Sequence, residues 1–161
     1  MVIWIIGLSG SGKSYLAGQL LKSIKGRKIH VDGDDVRKYL TYKLGYTKSD
    51  RKKNSLIISD LCAYLEQKNY TVVCSILSLF REHQLKNRKK FKKYFQIYLK
   101  TNFYQLLKRN NKKIYSKTKK VVGKDIKFST PIKNDLVINN QFKPYNQNMI
   151  KKIILKINDI K

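Results

Sequence analysis

Apolar residues gather in five short runs along this chain, and the stretches between them keep helical spacing. The first run, Val2-Ile3-Trp4-Ile5-Ile6, is unbroken. Residues 28–31, 70–76, 95–99 and 136–138 supply the other four, and 70–76 (Y-T-V-V-C-S-I) has the nearly continuous apolar character of a strand covered on both faces. Helical patterns fall at 15–21, at 54–67 with Leu56, Ile57, Leu61, Cys62 and Leu65 on one side, and at 103–108. Another runs through Met149, Ile150, Ile153, Ile154 and Ile157, a terminal helix of about 147–158. Alternating strand and helix predicts an α/β protein: one domain over 1–161 with a five-stranded parallel sheet wrapped by helices on both faces. Ligands in such sheets bind at the carboxyl ends of the strands, where 7–14, 32–35 and 75–81 fall.

The polar stretch after the first strand is specific. Gly7 to Ser14 read G-L-S-G-S-G-K-S, the G-x-x-x-x-G-K-[ST] phosphate loop in its strand–loop–helix setting. Gly7, Gly10 and Gly12, with Ser9 and Ser11 between them, let backbone N–H groups turn inward around phosphate oxygens, and the next helix adds its positive end. Lys13 is placed to reach the terminal phosphates of a nucleoside triphosphate and the Ser14 hydroxyl to hold Mg²⁺, so ATP and Mg²⁺ are the expected cofactors. The domain is therefore expected to be a P-loop NTPase-type three-layer αβα sandwich.

Asp32 and Asp34, one glycine apart at the end of the second strand, suit phosphoryl transfer to a hydroxyl. One carboxylate orients or deprotonates the acceptor and another helps hold Mg²⁺. The same D-G-D-D is a good turn and helix start with an Asp cap, and which Asp acts as base stays open. Arg37, Arg51 and Arg81 lie nearest the predicted strand ends, where guanidinium forks suit phosphate or sulfate oxygens, and Tyr46 after Gly45 suits stacking on a base. His30 is expected to be a core or hydrogen-bonded residue and His83 to be exposed. The lysine-rich residues 111–130 are the expected lid over the phosphates, and the polar connector 139–148 is assigned no chemistry.

Charge changes this picture little. The net charge is +26, from 36 Lys and Arg against 10 Asp and Glu. Nearly all of it is lysine, with only six arginines and no arginine–aromatic clustering, so a dedicated nucleic-acid reader is disfavoured. A basic nucleic-acid-binding NTPase stays as a remote alternative. Cys62 and Cys74 sit in apolar runs without C-x-x-C spacing, the pattern of buried free thiols in a reducing cytosol. The first apolar run is too short to span a membrane and runs straight into the phosphate loop, so a cytoplasmic protein is expected. Oligomeric state is not legible, and a homodimer is left open.

In order, G-L-S-G-S-G-K-S, V-D-G-D-D-V-R, L-G-Y-T-K-S-D-R-K-K-N, S-I-L-S-L-F-R and L-L-K-R-N-N-K-K-I-Y-S-K resemble the adenylylsulfate (APS) kinase family across nearly the whole chain. That family moves the γ-phosphate of MgATP to the ribose 3′-hydroxyl of adenylyl sulfate. Its pattern reads roughly D-G-D-N-x-R, G-F-x-x-x-D-R-x-E-N-I-R-R, F-I-S-P-[FY]-R and R-D-P-K-G-L-Y-K-K-A, with G-F-T-G-x-D-x-x-Y-E-x-P before the last strand. The resemblance implies that Arg37, Arg51 and Asn54 hold the acceptor nucleotide, with Tyr46 where a Phe stacks on its base. Leu77 and Ser78 match the Ile-Ser of F-I-S-P, Lys117 a lid lysine, and Arg109 the arginine against the ATP base. Asp32 and Asp34 match the family's carboxylate pair.

The departures cluster. Tyr15 replaces the Thr after the loop serine, which leaves the phosphate contacts intact. E-N-I-R-R has become Lys53-Asn54-Ser55-Leu56-Ile57, and the F-I-S-P proline is Leu79. R-D-P-K-G reads Arg109-Asn110-Asn111-Lys112-Lys113, and the long segment before the last strand shrinks to Lys127-Phe128-Ser129-Thr130-Pro131. ATP-side residues persist while acceptor-side and lid residues drift, which implies an acceptor related to adenylyl sulfate but not identical to it. One APS-kinase-like branch phosphorylates cytidine diphosphoramidate on the route to capsular polysaccharide phosphoramidate. That acceptor ranks slightly ahead of adenylyl sulfate, although the sequence shows a changed site and not a cytosine.

Overall fold

The computed structural model describes residues 1–109, 115 and 120–160. Strands β1 (Val2–Ile6), β2 (Lys28–Asp32), β3 (Thr71–Ile76), β4 (Tyr94–Thr101) and β5 (Leu136–Asn140) form one parallel sheet in the order β2-β3-β1-β4-β5. The five expected strands are all present. Helices α1 (Lys13–Ser23), α2 (Gly33–Tyr39), α3 (Lys48–Gln67), α4 (Arg81–Lys90), α5 (Phe103–Arg109) and α6 (Gln147–Asn158) complete the described elements. β1 lies at the centre because every one of its five side chains is apolar and buried, as a strand needs when helices cover both faces.

Alternation along the strands assigns the two layers. Ile3 and Ile5 pack with Val73, Ile97 and Leu99 against Leu16, Ala17 and Leu20 of α1 and Ile150, Ile153 and Ile157 of α6. Val2, Trp4 and Ile6 face the other way, with Val72, Cys74 and Ile76, onto Ile58 and Cys62 of α3. Both cysteines are free and buried. The register sets Ile6 beside Ile76 on one side and Tyr98 on the other, with Asp32 beside Ser75. The carboxyl ends of β2, β3, β1 and β4 therefore form one rim. Among the described residues no helix is long and apolar enough to cross a membrane.

Two helices depart from the apolar pattern. α3 starts at Lys48 rather than 54 because its first turns are polar. Its start is fixed instead by a capping box in which Thr47 accepts from the Asp50 N–H and Asp50 accepts from the Thr47 N–H. α4 has no apolar stripe, since its buried residues are His83, Gln84 and Asn87. It docks through polar contacts: His83 Nδ1 lies 3.0 Å from Ser55 Oγ, and Ser59 Oγ donates to Asn87 Oδ1 at 2.8 Å. Gln84 Oε1 accepts from the Ile132 N–H at 3.0 Å. His83 is thus buried rather than exposed, because the partner it needs is a serine on α3 and not a hydrophobic neighbour.

Candidate active site

The phosphate loop joins β1 to α1 in a conformation that only glycine tolerates at two places. Gly10 and Gly12 take φ of 75° and 89°, and the second sits directly before Lys13 at the head of α1. Gly7 is needed for another reason, since a Cβ there would come within 2.7 Å of Ser11 Oγ and 2.9 Å of the Leu99 carbonyl. Neighbouring elements hold the loop: Asn140 Nδ2 donates to the Ser11 carbonyl at 2.7 Å and Tyr115 Oη to the Ser9 carbonyl at 2.7 Å. Lys13 Nζ donates to the Leu8 carbonyl at 2.8 Å. The Ser11 side chain is fully buried, its hydroxyl without a hydrogen-bond partner among the described residues.

Asp32 ends β2 and caps α2, its Oδ1 accepting from the Asp34 N–H at 2.9 Å. Its Oδ2 accepts from Ser14 Oγ at 2.7 Å and from Ser75 Oγ at 2.9 Å. Burial alone would raise the Asp32 pKa. The donors Ser14, the Asp34 N–H and Ser75, with His30 nearby, outweigh that and hold it below the ordinary carboxylate value. His30 Nε2 stands 2.8 Å from Ser75 Oγ, and burial pushes its pKa down against the pull of Asp32 and Asp35. Asp34 is exposed in the cleft, and no hydrogen bond reaches its carboxylate from the described residues.

A cleft of about 450 Å³ runs over this rim. Of the expected donor-side residues, Ser9, Gly10, Gly12, Lys13, Ser14, Tyr15 and Arg109 line it, whereas Gly7 and Ser11 lie in the loop behind. Asp32, Asp34, Arg37, Arg51, Asn54 and Leu77 face the same space. Arg37 donates to the carbonyls of Gly45 and, at 3.4 Å, Leu44. Arg51 donates to Tyr46 O at 3.0 Å and Lys120 O at 3.2 Å, and burial with Arg37 nearby lowers its pKa. Asn54 Nδ2 donates to Gly33 O at 3.3 Å, and its buried Oδ1 has no partner among the described residues.

Tyr46 and Ser78 are not brought onto the cleft wall. The Tyr46 ring lies under the guanidiniums of Arg37 (4.8 Å) and Arg51 (5.3 Å), and Ser78 is buried beside Gln84. Arg81 also turns away, its Nε donating to the Thr130 carbonyl at 3.1 Å. Lys117 lies outside the described residues, as does most of 110–119. Part of the expected lid is packed: Tyr115, Val121 and Val122 are buried with Leu8 and Leu106, while Lys120, Lys124, Asp125, Lys127 and Thr130 are exposed.

The stretch 139–148, assigned no chemistry from the sequence, supplies Asn140 at the end of β5 and Phe142, Lys143, Pro144 and Tyr145 after it to the cleft. β5 ends at the same rim as the phosphate loop, so the residues that follow it are carried there by topology. Arg109 lies 4.3 Å over the Phe142 ring and Tyr15 stacks on Tyr145 at 5.8 Å. Among the described residues no group of three or more His, Cys, Asp or Glu is placed to hold a metal. The Ser14 hydroxyl and Asp32 carboxylate, with Asp34 in the same cleft, do make an all-oxygen set of the kind a hard cation such as Mg²⁺ takes.

The model of the adenylylsulphate kinase family matches residues 1–139. The cytidine diphosphoramidate kinase of Campylobacter jejuni is 32% identical over 97% of this chain and 95% of its own. A probable adenylyl-sulfate kinase of Archaeoglobus fulgidus is 29% identical over 85% of this chain and 94% of its own. In fold, the chain is similar to the Mycobacterium tuberculosis APS kinase CysC solved with AMPPNP and APS, with a TM-score of 0.85 at 24% identity over 98% of this chain and 97% of that one. A family match across most of the length, on a parallel sheet whose rim carries a phosphate loop and two carboxylates, shows that the chain belongs to the adenylylsulphate kinase family and is a nucleotide kinase acting on a hydroxyl acceptor.

Proposed function

We propose that this kinase passes the γ-phosphate of MgATP to the ribose 3′-hydroxyl of a nucleotide, with cytidine diphosphoramidate the favoured acceptor and adenylyl sulfate the second. The observation that carries the reading is a single cleft with a phosphate loop on one wall and Asp34, Arg37, Arg51 and Asn54 on the other. Such an arrangement can hold donor and acceptor in line, and most of the catalysis of phosphoryl transfer is positioning and charge stabilisation.

The two carboxylates divide the work by their surroundings. Three donors already engage Asp32, including Ser14, so it belongs with the cation. Asp34, open to the cleft, orients the acceptor hydroxyl and takes its proton. Mg²⁺, when held through Ser14 and Asp32, offsets phosphate charge. Lys13 exchanges the Leu8 carbonyl for the transferred phosphoryl oxygens, and Arg37 and Arg51 meet the anionic part of the acceptor. Arg109, Phe142 and Tyr145 offer flat faces to the ATP base.

Two observations favour the cytidine acceptor. One relative, 32% identical over 97% of this chain and 95% of its own, is a cytidine diphosphoramidate kinase, although an adenylyl-sulfate kinase of Prochlorococcus marinus is 32% identical over 98% of this chain and 83% of its own. Phe128, the aromatic of the shortened segment before the last strand, packs on Tyr98 at 6.1 Å and lines no part of the cleft. On this reading the base site differs from that of adenylylsulfate kinases on the side where acceptor identity is read. A role in capsular phosphoramidate synthesis follows if that acceptor is the right one. The test incubates the protein with MgATP and each of cytidine diphosphoramidate, adenylyl sulfate, CDP and AMP while following ADP release. Release is expected to be fastest with cytidine diphosphoramidate. If no nucleotide raises it above the acceptor-free rate, the reading fails.

A further inference from the structure

Along the floor of the cleft, with Ser75 among its lining residues, runs a polar chain that the phosphoryl-transfer chemistry does not itself require. The stretches of this sequence that match the family's D-G-D-N-x-R and F-I-S-P-[FY]-R begin at Asp32 and Ile76. His30 and Ser75 lie just outside them. The parallel register sets Ser75 directly beside Asp32, and the two-residue period of β2 puts His30 on the same face as Asp32. Ser75 Oγ accordingly sits between the two, 2.8 Å from His30 Nε2 and 2.9 Å from Asp32 Oδ2. Both contacts are part-buried.

We propose that His30 and Ser75 are positioning residues: a hydrogen-bonded pair at the cleft floor that fixes the Asp32 carboxylate so that it stays presented to Ser14 and the bound cation. The inference rests on the proposed role of Asp32. Proton counting makes it specific. The Ser75 hydroxyl has one proton, and a carboxylate can only accept, so that proton goes to Asp32. The contact with His30 then needs the proton on Nε2, with the imidazole donating to Ser75 Oγ. His30 therefore carries a proton on Nε2, the ring nitrogen that faces Ser75. A hydroxyl that receives a hydrogen bond also donates a stronger one, so the imidazole tightens the grip on Asp32. Ser14 and Ser75 donate to the same oxygen, Asp32 Oδ2, and Ser75 is the one of the two that His30 backs. Partners that hold a metal-binding carboxylate from behind typically matter about 10- to 100-fold in metal affinity or activity.

The test uses the full chain. Long-range ¹H–¹⁵N spectra of the nucleotide-free protein report the His30 tautomer, and Nε2–H is expected; an Nδ1–H tautomer overturns the proposal. A fluorescent ATP analogue is then titrated at increasing Mg²⁺. Ser75→Ala is expected to raise the Mg²⁺ concentration for half-maximal tight binding about tenfold. It should lower kcat by a similar factor while the acceptor KM stays within about twofold. His30→Leu should behave like Ser75→Ala, His30→Gln should restore most of the loss because its amide N–H can reach Ser75, and the double variant Ser75→Ala/His30→Leu should be no worse than Ser75→Ala. Independent, additive losses overturn the proposal, and so do variants that shift Tm while leaving the Mg²⁺ midpoint and kcat unchanged. A wild-type protein inactive on every acceptor would sink the functional reading instead, with the tautomer and the Mg²⁺ midpoint still deciding the pair.

Discussion

The two walls of the cleft are built differently. On the donor side the phosphate loop grows from a fully buried central strand, and side chains from β5 and from Tyr115 hold its carbonyls. On the acceptor side Arg37 and Arg51 spend their hydrogen bonds on the carbonyls of residues 44–46 and 120, around a half-exposed Tyr46 ring. The donor wall is fixed by the core; the acceptor wall is a loop held by two guanidiniums, one of which also reaches the Lys120 carbonyl. In the proposed function, chemistry common to many kinases sits on the first and discrimination among acceptors on the second, where loop residues can change without disturbing the sheet.

That contrast can be broken by substitution. The largest effect is expected for Lys13→Ala, a loss of about 10³-fold in kcat with Tm unchanged, read by ADP release and thermal unfolding. Next, Asp34→Asn should cost about 10²-fold in kcat with the ATP KM within about twofold, as loss of an acid–base group does. Asp32→Asn should instead raise the Mg²⁺ requirement. If the two asparagine variants behave alike, the division of labour between the carboxylates is wrong. Arg51→Ala should raise the acceptor KM about tenfold or more, the worth of a charge-assisted hydrogen bond, with the ATP KM nearly unmoved. Equal changes in both KM values would erase the distinction between the walls.

The smallest effect concerns the floor behind the acceptor wall. Burial pushes the His83 pKa below its ordinary 6.5, with Lys52 and Lys86 adding to the push and Glu82 opposing it. The folded protein therefore keeps this ring neutral while the unfolded chain protonates it. The stability it contributes is present above the ordinary value and lost as pH falls below it. Tm should drop between pH 7.5 and 5.5, and His83→Gln should shrink that drop by about 2 °C, measured as a slope so that any uniform loss of stability cancels.

Most of the donor wall was legible in the sequence, because phosphate binding by backbone needs glycines at fixed places and a lysine at the helix head, and those identities are the signal. Five strands were legible because strands buried on both faces must be apolar. α4 was not, since it docks through His83, Gln84 and Asn87, and polar burial leaves no apolar period. The connector after β5 was not either: Phe142 and Tyr145 carry no motif, and their place in the cleft follows from strand order. His30 and Ser75 meet Asp32 through the pairing of β2 with β3, and register is not written in spacing along one strand. Arg37, Arg51 and Asn54 were reached through family resemblance, and the structure brings all three to the cleft while leaving Tyr46 and Ser78 off its wall.

The account depends most on where the phosphate goes. ³¹P NMR of the product formed from the accepted nucleotide and MgATP should show one new phosphate monoester coupled to the ribose 3′ proton, in amounts equal to the ADP released. A phosphate added to the acceptor's own phosphate chain, or recovered only as inorganic phosphate, would contradict it.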